Sequence, residues 1–125
     1  MNKLIQKYYN QSLIVDEEVR SEAPYYDDDY YIADEAREGY KILDVGIGRG
    51  RVNRLIEDYS SKIIKGIDIA PVAVEFNKKF GIEVKLCDLN TEPIPYPDRE
   101  FDTVICSEVL EHLLSPIHAL SEMNR

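Results

Sequence analysis

Three short apolar runs in this chain carry an aspartate at or beside their C-terminal end. They are Lys41-Ile42-Leu43-Asp44-Val45, Ile63 to Asp68, and Ile82 to Cys87 with Asp88 next. The first run leads straight into Gly46-Ile47-Gly48-Arg49-Gly50. Runs of this length, rich in β-branched residues and stopped by turn formers, read as strands buried on both faces. The stretches between them carry helical spacing. Val52, Leu55, Ile56 and Tyr59 fall at i, i+3, i+4 and i+7. Val72, Ala73, Phe76 and Phe80 follow Pro71, which suits a first turn, and Gly81 suits a C-terminal cap. Pro93, Pro95 and Pro97 make 89–100 a loop, and Phe101 to Cys106 reads as a fourth strand. Val109, Leu110, Leu113 and Leu114 then form a helical face. Ser115 and Pro116 open a last helix that carries Ile117 and Leu120. The order β-α-β-α-β-loop-β-α predicts an α/β fold with a parallel sheet and right-handed crossovers.

The chain changes character near Gly39. Between 16 and 38, ten acids face only Arg20 and Arg37, and tyrosines cluster at Tyr8, Tyr9, Tyr25, Tyr26, Tyr30 and Tyr31. Leu4, Ile5, Tyr8 and Tyr9 suit a short amphipathic helix, Pro24 a break, and Asp28 to Glu38 a second helix. Residues 1–39 are therefore read as a helical, acidic, tyrosine-rich segment, either a lid or substrate wall or a solvated helix packed on the domain, and 40–125 as the α/β domain. Fifteen basic against 24 acidic residues give a net charge of −9. That disfavours nucleic acid or an anionic membrane as partner. No apolar run approaches the roughly 20 residues of a membrane span. Cys87 and Cys106 are not paired as CxxC, and no metal-ligand cluster is evident, so the expectation is buried thiols, no metal and a cytoplasmic setting. His118 is expected at the surface.

A glycine-rich turn between a strand and a helix lets the backbone bend sharply and lets a nucleotide-like ligand approach with no Cβ in the way. A dinucleotide fingerprint needs G-x-G-x-x-G. Here position 51 is Arg and the third glycine comes one residue early, at Gly50, which counts against pyrophosphate binding. Asp44, Asp68 and Asp88 stand where open α/β sheets bind ligands, although Asp44 also suits bonding turn amides, and Asp68 and Asp88 capping the next helix.

Asp44-Val45-Gly46-Ile47-Gly48-Arg49-Gly50 resembles motif I of the class I S-adenosylmethionine-dependent methyltransferases. Gly66-Ile67-Asp68-Ile69-Ala70 resembles their second-strand motif, and Cys87-Asp88-Leu89-Asn90 the third. Phe101 to Leu113 is similar to the fourth strand and following segment of the small-molecule branch, methyltransferase type 11. The resemblance covers about 40–125. It implies a Rossmann-like sheet of order 3-2-1-4 with helices on both faces, with S-adenosylmethionine as cofactor and S-adenosylhomocysteine as product. Asp68, followed by Ile69, would take the ribose hydroxyls. Asp88, followed by Leu89, would lie at adenine, and Asp44 would help to hold the ammonium. Gly46, Gly48 and Gly50 would form the cradle. Ser107 would lie at the cofactor beside the transferable methyl, with Glu108 or His112 as general base unless that stretch only begins and packs a helix.

The family's sheet has seven strands in the order 3-2-1-4-5-7-6, and only four are counted here. The expectation is the cofactor half of such an enzyme, either a short gene product or a truncated chain. It acts on a small-molecule acceptor or serves as a non-catalytic cofactor-binding module. Its fourth strand would be an exposed edge that invites homo-oligomers across that strand or the following helical face. A signalling receiver domain would need a lysine after a fifth strand, and a nicotinamide-binding domain would need the displaced glycine. Both fit less well.

Overall fold

The computed structural model describes residues 26–125. The helix expected near Leu4 to Tyr9 lies outside them. Helix α1 spans Asp27–Ala36, strand β1 Lys41–Val45, α2 Arg51–Leu55, β2 Ile63–Asp68, α3 Pro71–Lys78, β3 Glu83–Leu86, β4 Thr103–Cys106 and α4 Pro116–Asn124. Single 3-10 turns occupy Tyr59–Ser61 and Leu110–His112. The four strands form one parallel sheet of order β3-β2-β1-β4, as the resemblance implied.

β1 is central, with Val45 beside Ile67 of β2 on one side and Cys106 of β4 on the other. Its period-2 pattern sends neighbouring side chains into two separate cores. Ile42 joins Ala33 and Ala36 of α1, Val52 of α2, Ile64 and Ile105, with Val74 and Phe80 packed against them. Leu43 and Val45 join Ile67, Cys87, Leu89, Ile94, Tyr96 and Ala119 of α4 on the other face. Helices therefore cover both faces. Fully burying side chains such as Ile42, Val45 and Ile67 stabilises by about 1.5–3 kcal/mol each.

Several elements are shorter than their apolar spacing suggests. The first crossover helix ends at Leu55 because Ile56 turns to extended backbone, and Tyr59 belongs to a separate 3-10 turn. α3 buries Ala73 and Asn77 rather than Phe76, whose ring instead lies against the guanidinium groups of Arg49 and Arg54. The face read from Val109 to Leu114 forms one 3-10 turn, not a helix. Glu108 sits in left-handed backbone at φ 56°, and Ser115 precedes a proline, so no room remains for a second turn. Leu114, Ile117 and Leu120 are exposed. Ser115 stands at the N-cap of α4 without a side-chain bond. His118 is half-buried rather than exposed, with Nε2 3.3 Å from the Glu92 carbonyl.

The three-proline loop is fixed from α4. Arg125 donates to the carbonyls of Tyr96 (2.9 Å) and Ile94, and to the carboxylates of Glu122 and Asp98. Among the described residues no helix is long and apolar enough to cross a membrane.

Candidate cofactor site

The C-terminal ends of β1, β2 and β4 converge on the glycine loop. Gly46 and Ile47 both donate their N–H to the Ile67 carbonyl, at 2.9 and 3.1 Å, which ties the loop to the end of β2. Gly46, Gly48 and Gly50 all have positive φ, at 69°, 53° and 64°, the left-handed region that glycine enters without penalty. A Cβ on Gly46 would collide with Val109, and one on Gly50 would lie 2.6 Å from Asn77 Oδ1.

Asp68 completes the cradle. Its Oδ2 accepts from the Gly48 N–H at 2.8 Å and its Oδ1 from the Ala70 N–H at 2.9 Å. Asp68 does not cap α3, whose N-cap position is Ala70, so the capping alternative gives way to turn-amide bonding. It does not exhaust a carboxylate, whose two oxygens offer about four acceptor sites. Burial raises the Asp68 pKa against these backbone bonds. Asp88 is buried, and its Oδ1 accepts from the Asn90 N–H at 3.0 Å.

Asp44 is buried, and its Oδ2 accepts from Asn53 Nδ2 at 2.7 Å rather than from turn amides. Burial pushes its pKa up to about 7, opposed by the Asn53 bond and assisted by the charge of Asp68. A carboxyl so placed is poised to ionise when a cation arrives beside it.

Two open clefts meet at this loop. The first, of about 850 Å³, is lined by Gly46, Gly48, Ile67, Asp68, Ile69, Asp88, Leu89, Asn90, Glu108, Val109, His112 and Leu113. The second, of about 820 Å³, is lined by Asp44, Gly46, Gly48, Ser107 and Glu108, together with Arg49, Arg51, Tyr26 and Asp29. Gly46, Gly48 and Glu108 belong to both, so a ligand can run from one cleft to the other past the end of β1. The structure thus brings together every site residue expected from the sequence except Gly50, which faces Asn77 behind the loop.

Glu108 is exposed at the junction, and its pKa is raised first by a hydrogen bond with Glu111 and then by that residue's charge. His112 Nε2 lies 3.9 Å from Glu111 Oε1, so three titratable groups stand in a row on the rim. Among the described residues no group of His, Cys, Asp and Glu could hold a metal ion.

Sequence reasoning missed two buried asparagines. Asn53 holds Asp44. Asn77 donates to the carbonyls of Gly48 (2.8 Å) and Ala73 (2.7 Å), anchoring the loop to α3. Both are fully buried with Oδ1 unsatisfied. Their signal was a polar residue on an inward helical face: Asn53 beside Val52 and Ile56, Asn77 beside Ala73 and Phe80.

The family model described as "Methyltransferase domain" matches residues 43–125. The chain is 36% identical over 92 residues to the tRNA U34 carboxymethyltransferase of Nautilia profundicola, covering 69% of this chain and 30% of that protein. It is 31% identical over 91 residues to the ubiquinone biosynthesis O-methyltransferase of Haemophilus ducreyi, covering 66% and 38%. The chain thus spans about a third of the length of these relatives. The crystal structure of magnesium protoporphyrin IX methyltransferase from Synechocystis, with bound S-adenosylhomocysteine, shares the fold at TM-score 0.67 and 16% identity, covering 97% of this chain and 65% of that one. With a family match over two thirds of its length, this chain belongs to the class I S-adenosylmethionine-dependent methyltransferases.

Proposed function

We propose that this chain binds S-adenosylmethionine across the two clefts and forms the cofactor half of a methyltransferase acting on a small-molecule acceptor. The observation that carries the reading is the junction at Gly46 and Gly48, with Asp68 and Asp88 in one cleft and Asp44 on the other. The adenosine occupies the first cleft, its ribose hydroxyls donating to Asp68 and its exocyclic amine to Asp88. Ile69 and Leu89 flank it, and the methionyl end passes the glycines toward Asp44. The sulfonium then lies near Ser107 and Glu108. Methyl transfer is an in-line displacement in which the acceptor's electron pair forms the new bond to carbon, and sulfur keeps the pair of the bond that breaks. The enzyme contributes mainly proximity and orientation. Where the acceptor must lose a proton, Glu108 or His112 takes it. The hydrogen bond and charge of Glu111 raise the pKa of Glu108, which makes it a stronger base than an isolated carboxylate.

The net charge of −9 supports a small acceptor over a nucleic acid, and a relative named for ubiquinone biosynthesis points the same way, whereas the relative named for tRNA U34 makes tRNA the acceptor to test against. Calorimetry with S-adenosylmethionine, S-adenosylhomocysteine and NAD tests the cofactor. Binding of both adenosyl ligands is expected, and a response to NAD alone would sink the reading. Added tRNA that became methylated would overturn the small-molecule acceptor.

A second reading is a cofactor-binding module that self-associates without catalysis. It is favoured by β4 standing at the sheet edge, with Val104 exposed there and Leu114 and Ile117 exposed nearby in the chain. Cofactor binding without transfer to any acceptor would favour it. A monodisperse monomer by light scattering at micromolar concentration would remove its self-association.

A further inference from the structure

The first cleft is walled on one side by the loop after β3 and on another by the segment after β4. The two walls are joined by a side chain. Asn90 Oδ1 accepts from the Leu114 N–H at 2.8 Å, across 24 residues of chain. Packing does not demand this contact, since Leu113 has extended backbone and the Leu114 side chain is 87% exposed. We infer that Asn90 is a positioning residue that latches the two walls together and so sets how wide the adenine end of the cleft stands. The inference rests on the proposed placement of adenine at Asp88, and it assigns the residue that limits what the exocyclic amine can carry.

Asn90 acts on both walls. Its own N–H donates to Asp88 Oδ1 at 3.0 Å, so the latch is built on the residue that orients the adenine carboxylate. The turn around it is tight. Thr91 and Glu92 donate to the Asp88 carbonyl at 3.0 and 2.8 Å, and Glu92 Oε2 accepts from the Asp88 N–H at 2.6 Å. The opposite wall is pinned at its start, where Val109 packs against Gly46, and it carries Glu108 and His112. Its 3-10 turn bonds within itself, His112 to the Val109 carbonyl and Leu113 to that of Leu110. The Asn90 bond fixes the end of this wall at Leu114. Short segments of this kind open locally at low cost, so one hydrogen bond shifts the opening equilibrium several-fold. The loop itself does not depend on the latch. Glu122 Oε2 accepts from the Ile94 N–H at 3.0 Å, and His118 Nε2 lies 3.3 Å from the Glu92 carbonyl.

The test uses the full chain as wild type, Asn90→Ala and Asn90→Asp, the last of which keeps an acceptor oxygen. Amide exchange by NMR without ligand reads the latch directly. Leu114 should exchange about fivefold faster in Asn90→Ala and near the wild-type rate in Asn90→Asp. Calorimetry then compares S-adenosylhomocysteine with its N6-benzyl analogue. The wild type should prefer the unsubstituted ligand by about tenfold or more. Asn90→Ala should weaken that ligand about three- to tenfold and admit the analogue, leaving a preference of about threefold or less. Asn90→Asp should restore the wild-type pattern. Unchanged Leu114 exchange or an unchanged preference in Asn90→Ala overturns the inference. So does an Asn90→Asp that behaves like Asn90→Ala, or a wild type that binds both ligands equally. If the wild type binds neither ligand, the adenine placement fails and the inference falls with it, even where Leu114 exchange responds as expected.

Discussion

The buried Asp44 carboxyl makes stability depend on pH in a direction opposite to that of most carboxylates. Its pKa rises from an ordinary 3.8 to about 7, chiefly because burial disfavours the charged form. The folded chain therefore binds a proton that the unfolded chain releases. Stability is highest on the acid side and is lost as pH climbs from about 4 through 7. At 1.36 kcal/mol per unit, the full loss is about 4 kcal/mol, of which about 2–3 kcal/mol falls between pH 5 and 8. Asp44→Asn removes the titration but keeps a carbonyl that can accept from Asn53 Nδ2, the present partner at 2.7 Å. Urea unfolding of both proteins at pH 5, 6, 7 and 8 isolates the effect, since titrating groups that do not interact with Asp44 cancel in the difference and Asp68 enters only through its coupling to Asp44. The wild type should lose about 2–3 kcal/mol relative to Asp44→Asn across that range. Parallel stability curves would refute the reasoning, because they would mean that Asp44 is ionised and solvated in the folded state.

Two further substitutions probe the cradle. Asp68→Ala removes the acceptor for the Gly48 and Ala70 amides along with the proposed ribose contacts. It should weaken S-adenosylhomocysteine binding by about a hundredfold or more in calorimetry, and a loss below about tenfold would contradict the ribose role. Gly50→Ala forces a Cβ into left-handed backbone and to 2.6 Å from Asn77 Oδ1, whereas Gly81→Ala has φ +70° and open space around it. Denaturant unfolding should show about 1–2 kcal/mol lost at Gly81 from the backbone alone, and more than that at Gly50. Equal losses would mean that Asn77 yields freely.

The parts of this fold legible in the sequence are those where one local rule dominates. β1 and β2 are apolar runs ending in a glycine turn or an aspartate, and their pairing follows from short parallel crossovers. Asp44, Asp68 and Asp88 could be named because a charged residue at the end of a buried strand is conspicuous. The segment after β4 was not legible, because Val109, Leu110, Leu113 and Leu114 carry helical spacing while Glu108 takes left-handed backbone pinned beside the glycine loop. Phe76 was misplaced for a related reason. Hydrophobic periodicity assigns an aromatic ring to the core, yet here cationic side chains cover it and Asn77 takes the inward position. Asn53 and Asn77 escaped because they bond partners nine and 29 residues away in the chain. Arg51 was read only as a missing glycine, since its contacts with Asp29 and Tyr26 are brought to it by the fold from the start of α1.

The central claim is that one ligand spans both clefts through the Gly46–Gly48 junction. A crystal of the chain grown with S-adenosylhomocysteine tests it most directly. The account predicts continuous density with the ribose hydroxyls on Asp68, the adenine beside Asp88 and Leu89, and the amino-acid end in the cleft of Asp44. Density confined to one cleft, or a ribose placed away from Asp68, would contradict it.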